Sequence, residues 1–131
     1  MFHVDHQSQP GVLRISVRGF LAPADAVALG QAVLAGAQAA RAQRADFDVL
    51  VISLGFPVQA NDVADQLGRI MQRGMLLTQG RAAVVVGSQL NKLQAERTLQ
   101  HPRLRVFDTI EAATGWLDMG GCDTAPLPAG I

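Results

Sequence analysis

Tyrosine is missing from this chain, and its aromatic complement stops at five phenylalanines and one tryptophan in 131 residues. A platform on which successive bases stack needs more rings than that. Charge of one sign is missing as well, since 11 basic side chains meet 11 acidic ones. A neutral chain has no broad field with which to gather a polyanion, so nucleic acid is excluded as an expected partner on both counts. The same neutrality leaves little self-repulsion, and with 49% hydrophobic residues it makes a homodimer a reasonable expectation. Only one cysteine, Cys122, is present. No internal disulfide can form, which suits a reducing compartment, and with no histidine beside it to activate it the thiol is read as incidental. No apolar run approaches the roughly 20 residues of a membrane helix, and MFHVDHQSQPG lacks the basic start and apolar run of a secretory leader. The expected location is cytoplasmic.

Catalytic signatures are absent too. The chain contains no GxGxxG or GxxxxGK[ST] phosphate loop, no GxSxG elbow and no HExxH pair. Its three histidines are His3, His6 and His101. A strand would put His3 and His6 on opposite faces, which spoils a metal site with Asp5, and His101 precedes Pro102 in a turn. No catalytic residue, metal or cofactor is expected, and the chain is read as non-enzymatic.

What is present is an alternation of strands and helices. GVLRISVRG, from Gly11 to Gly19, has the two-residue period of a half-buried edge or antiparallel strand, with Phe2 to His6 as its partner. Pro23 opens a helix that runs to about Gln43, with Asp25 in its first turn. FDVLVISL, from Phe47 to Leu54, and AAVVVG, from Ala82 to Gly87, are nearly continuous in apolar residues, as in parallel strands covered on both faces. Between them a helix capped by Asn61 carries the stripe Val63, Leu67, Ile70, Met71, Gly74 and Leu77 to about Thr78. Ser88 caps a third helix. Leu104 to Phe107 is a short last strand, and Asp108 with Glu111 has capping-box spacing for a final helix that Gly120 and Gly121 stop. Trp116 is expected in the core. The order β-β-α-β-α-β-α-β-α predicts an α/β fold: a mixed sheet of about five strands, mostly parallel, with about four helices and right-handed crossovers. Residues 1–118 are expected to form one domain and 119–131 a flexible tail rich in Gly and Pro.

The strand VLVISLG with its following helix, the strand RAAVVVG and the ending VFDTIEAATGWL together resemble STAS domains, in particular small bacterial proteins like the sporulation anti-sigma factor antagonist. The resemblance covers about residues 11 to 118. It implies a regulatory, protein-interacting module whose phosphoacceptor is a serine at the start of the second helix. With Gly55 matched to the glycine that ends the family's central strand, the Asp-Ser pair falls on Ala60 and Asn61. Neither accepts phosphate, so the resemblance implies a module without that switch.

Open parallel sheets bind ligands beyond the C-terminal ends of their strands. That edge is expected to gather Ser53, Gly55, Asn61, Asp62, Gly87, Ser88 and Asp108. The leading reading makes the surface from Gly55 to Asp65 the place where a protein partner or a second copy docks. The alternative is a small ligand, a nucleotide, an anion or part of a lipid, held by backbone amides at the same strand ends. Arg69 and Arg73, four residues apart on one helix, would form a modest basic patch with Arg97 or Arg81 if the fold brings them together.

Overall fold

The structure, a computed structural model, describes residues 1–123, with side chains through Met119. Five strands, β1 (Phe2–Asp5), β2 (Val12–Arg18), β3 (Asp48–Gly55), β4 (Ala82–Val86) and β5 (Leu104–Phe107), form one sheet in sequence order. β1 is antiparallel to β2, and β2 through β5 are mutually parallel. The helices are α1 (Pro23–Gln43), α2 (Asn61–Leu76), α3 (Gln89–Thr98) and α4 (Ile110–Asp123). The mixed, mostly parallel α/β sheet expected from the sequence is the one observed.

Strand order and crossover hand decide where the helices go. Each parallel neighbour follows its predecessor directly, so three right-handed crossovers carry α1, α2 and α3 to the same face of the sheet. There they bury Leu13, Ile15 and Val17 of β2, Val49 and Val51 of β3 and Val84 and Val86 of β4 beneath Leu29, Val33, Val63, Met75 and Ala95. Among the described residues only α4 reaches the other face, where Ala113 and Leu117 cover Leu50, Ala83 and Val85. β3 and β4 are therefore covered on both sides, which is why their sequences are continuous in apolar residues. β2 is an interior strand, but α4 does not extend over it, so Arg14 and Arg18 remain exposed while Leu13, Ile15 and Val17 are buried. β1 is the edge on that side.

Small residues set how closely the layers approach. A Cβ on Gly68 of α2 would lie 2.6 Å from the carbonyl oxygen of Thr98 on α3, and one on Gly80 would lie 2.2 Å from that of Phe47. Both positions admit only glycine without a backbone shift.

Three helix ends differ from expectation. The cap position of α2 is Ala60, with φ −59 and ψ 152 and no side-chain cap bond. The Ala60 carbonyl already accepts the first helical bond, from Ala64 N at 2.8 Å, so Asn61 is the first helical residue rather than the cap. At α4 the cap is Thr109, whose Oγ1 accepts from Ala112 N at 3.1 Å, one residue beyond Asp108. α4 also continues through Gly120 and Gly121 to Asp123; a helical glycine costs only about 1 kcal/mol relative to alanine, too little to end a helix already docked on the sheet. The Cys122 side chain and the tail after Asp123 lie outside the described residues. Trp116 is half buried rather than core. It packs on Phe107, with ring centroids 5.6 Å apart, and the Arg81 guanidinium sits 4.5 Å above it.

Two glycine substitutions should move stability in opposite directions. Gly68→Ala is expected to lose about 1–3 kcal/mol by overpacking against Thr98. Gly115→Ala, where nothing lies within 4 Å of the added Cβ, is expected to gain about 0.5–1 kcal/mol in α4. Urea unfolding of the two variants beside the parent protein measures both.

Candidate functional site

Because β2, β3 and β4 are parallel, the loops that leave their C-terminal ends share one edge of the sheet. The loop from β3 into α2 is short and is fixed almost entirely by side-chain amides. Gln59, only 4% exposed, is its centre: Oε1 accepts from Leu21 N at 2.9 Å, and Nε2 donates to Pro57 O at 2.8 Å and Gly19 O at 3.3 Å. One carboxamide thus ties the β2–α1 loop to the β3–α2 loop. The Gln59 peptide is held in turn by Gln94 of α3, whose Oε1 accepts from Gln59 N and whose Nε2 donates to Gln59 O, both at 2.9 Å. That side chain imitates a neighbouring strand. Asn91, one helical turn earlier, donates to Phe56 O, and Gly19 N donates to Gly55 O at 3.1 Å.

Around this fixed loop the residues expected from the sequence take different positions. Gly55 ends β3 and stands beside Gly87, where a Cβ would lie 2.2 Å from Leu54 O. The bare Cα at Gly87 is therefore required by strand packing alone. Ser88 follows it, exposed, and its Oγ accepts from Asn91 N at 3.1 Å as the cap of α3. Asn61 and Asp62 are exposed in the first turn of α2, with Asp62 Oδ1 accepting from Val63 N at 2.9 Å. Ser53 turns inward instead. It is 3% exposed and donates to Val85 O at 2.6 Å. Asp108 lies farther along, past β5, 3.9 Å from Lys92 Nζ. The structure brings Gly55, Gly87 and Ser88 together, with Asn61 and Asp62 across the short loop, and leaves Ser53 and Asp108 apart from them.

The apolar character of this edge is pronounced. Phe20 is 76% exposed, Leu90 69%, Leu54 48% and Val58 41%. Phe20 and Val58 are on the loops that follow β2 and β3, Leu54 is near the end of β3 and Leu90 is in the first turn of α3. No serine or threonine occurs between Ser53 and Thr78.

Displaced titrations fall at the other end of the sheet. Asp5 is held down at about 2, first by the Ser8 hydroxyl and then by the Gln7 and Ser8 amides. Burial pushes the Asp48 carboxyl up, against the opposing bond from Arg81 N at 2.9 Å. Burial, with Arg103 nearby, lowers the pKa of His101, whose Nδ1 accepts from Arg103 N at 3.0 Å. Of the arginines, Arg69, Arg73 and Arg97 line one groove between α2 and α3, while Arg81 is on the opposite face against Trp116.

No family model and no curated protein matches the chain. Among solved structures, an anti-sigma factor antagonist from Mycobacterium paratuberculosis aligns with a TM-score of 0.61 over 90% of this chain and 95% of its own, at 13% identity. The fold is STAS-like. Within that STAS-like frame, the loop fixed by Gln59 leads from the central strand into the second helix. No helix among the described residues is long and apolar enough to cross a membrane.

The sequence reading passed over Gln59, Asn91 and Gln94. The available signal was the spacing of Asn91 and Gln94, three apart and therefore on one helix face, opposite a loop with a single amide. Gln59→Leu removes the partners of Leu21 N, Gly19 O and Pro57 O. It is expected to cost about 1–3 kcal/mol, the range for a buried polar group left unsatisfied, and to speed amide hydrogen exchange at residues 19–21, 55–56 and 58–60. His101 supplies a pH dependence. Its pKa is depressed in the folded state, so its contribution is complete above the unfolded value near 6.5 and is lost as pH falls through the lower folded value. A thermal melt series from pH 7.5 to 5 should show a decline that His101→Asn, which keeps an acceptor for Arg103 N, reduces.

Proposed function

We propose that this chain is a non-enzymatic, regulatory protein-interaction module that docks a protein partner, or a second copy of itself, on the strand-end surface around Gly55 to Asp65. The observation that carries this reading is the exposed apolar set Phe20, Leu54, Val58 and Leu90 around a loop whose backbone is already fixed by Gln59 and Gln94. Exposed apolar surface of this kind marks interaction sites, and a loop ordered before binding loses less entropy on complex formation. One solved protein that shares the fold is named an anti-sigma factor antagonist, which supports a regulatory role.

In this reading the module works without a serine phosphoswitch. The helix start holds Ala60 and Asn61, and no hydroxyl lies between Ser53 and Thr78. A small ligand at the strand ends draws less support, because the Ser53 hydroxyl is engaged by Val85 O and the Ser88 oxygen by Asn91 N.

Native mass spectrometry of the protein purified gently from its own cells, beside a Phe20→Asp/Val58→Asp variant, tests the proposal. The parent is expected as a complex of fixed stoichiometry with a protein or a second copy. The variant, substituted only at exposed positions, should keep its melting temperature and lose at least tenfold in complex affinity. A parent that is only monomeric, or a complex indifferent to both charges, refutes the docking surface. Phosphate mass on the peptide spanning residues 54–77 refutes the loss of the switch.

A further inference from the structure

α1 and α2 lie side by side and run in the same direction. A Cβ on Gly30 would meet the Ile70 side chain at 3.2 Å, and one on Gly74 would meet Val33 at 3.9 Å. Farther along, Arg41 reaches Leu77 O at 2.9 Å. On the outside, this seam is a groove of about 350 Å³ along Val27, Gly30 and Leu34 of α1 and Ile70 and Gly74 of α2. On the inside, between the sheet and the three helices, lies a cavity of about 90 Å³ walled by apolar residues such as Leu13, Leu29, Val49 and Val84. Groove and cavity share three walls, Val33, Ile70 and Gly74. Val33 and Ile70 supply the side chains of that partition, and Gly74 contributes none to it.

The rim of the groove is cationic. Arg69 and Arg73 are four residues apart on α2, both exposed and both lining the groove. Among the described residues, neither makes an ion pair with a carboxylate. The other polar residues there, Gln31 and Gln66, are neutral. Two guanidinium groups beside an apolar slot that shares walls with an apolar cavity suit a molecule with an anion at one end and a single hydrocarbon chain at the other.

We propose that the seam between α1 and α2 binds a single-chain anionic amphiphile of the fatty-acid class. The carboxylate lies on Arg69 and Arg73, the chain follows Val27, Gly30 and Leu34, and its end passes Ile70 and Gly74 into the interior cavity. This site is separate from the strand-end docking surface, so either can fail without the other.

The test is titration of the full chain with dodecanoate carrying a carboxyl carbon-13 label, kept below its micelle concentration and followed by NMR. Saturable binding is expected. Arg69→Glu/Arg73→Glu should weaken it at least tenfold, as loss of charge-assisted bonds does, and dodecanol should bind the parent about tenfold less tightly than dodecanoate. Gly74→Leu, which fills the passage while favouring the helix, should weaken dodecanoate binding without lowering the melting temperature. This second variant keeps the test decisive if the double arginine variant does not fold. Absence of saturable binding, or equal affinity in the folded variants, overturns the proposal. Binding to phosphatidylglycerol vesicles without binding of free dodecanoate also overturns it, in favour of an anionic surface.

Discussion

Three consecutive right-handed crossovers, in a sheet whose strands lie in chain order, leave α1, α2 and α3 no choice of face. The remaining asymmetries of the molecule follow from that constraint. With three helices on one side, α4 is the one described helix on the other, and it covers β3, β4 and β5. Among the described residues α4 does not extend over the outer face of β1 and β2, and Arg14 and Arg18 are exposed there. The crossovers also make the helices parallel to one another and antiparallel to the strands. The starts of α1, α2 and α3 and the ends of β2, β3 and β4 thereby meet at a single edge.

That edge and the opposite one are held together by different chemistry. At the strand ends, neutral amides supply the hydrogen bonds that loop backbone would otherwise lack: Gln59, Asn91 and Gln94 together satisfy peptide groups of residues 19, 21, 56, 57 and 59. Buried backbone groups need such partners, and amides provide donor and acceptor in one group without charge. At the other end the partners are charged. Arg103 donates to Met75 O and Thr78 O at 3.0 Å and also to Gly80 O, closing the end of α2 where its carbonyls are free. Asp5, Asp48 and the Arg44–Asp46 pair lie at the same end. The resolved displacements of titration fall at the charged end.

Most of the fold could be read from periodicity because burial on one or two faces writes itself into apolar spacing. β3 and β4 read as central strands for that reason, and α1 was bounded at Pro23 and Gln43 as observed. Errors came where a choice rests on a single dihedral angle or a single contact. Asn61 looks like a cap by residue type, but an alanine backbone holds the cap position. Ser53 looks like a strand-end ligand by position, but the pleat turns it inward to Val85. The Gln59 network was out of reach because its partners are 35 to 40 residues away, and polar complementarity at that distance leaves no period. Arg69, Arg73 and Arg97 were legible as a group once α2 and α3 were known to touch. The groove on the other side of Arg69 and Arg73 depends on the α1–α2 seam, which sequence spacing does not specify.

The cavity behind that seam is a cost the chain carries. At about 24 cal/mol per Å³, a space of about 90 Å³ corresponds to about 2 kcal/mol. Ala64 and Ala95 line it, as does Gly74, so a larger side chain at any of these positions would shrink it. At Gly74 the added carbon would have only Val33 in van der Waals contact and would improve the helix as well. Close approach therefore does not demand a glycine there, as it does at Gly68 and Gly80. A packing defect located behind a sterically unnecessary glycine, with an apolar groove and two arginines in front of it, is better explained as space kept open than as a core left loose.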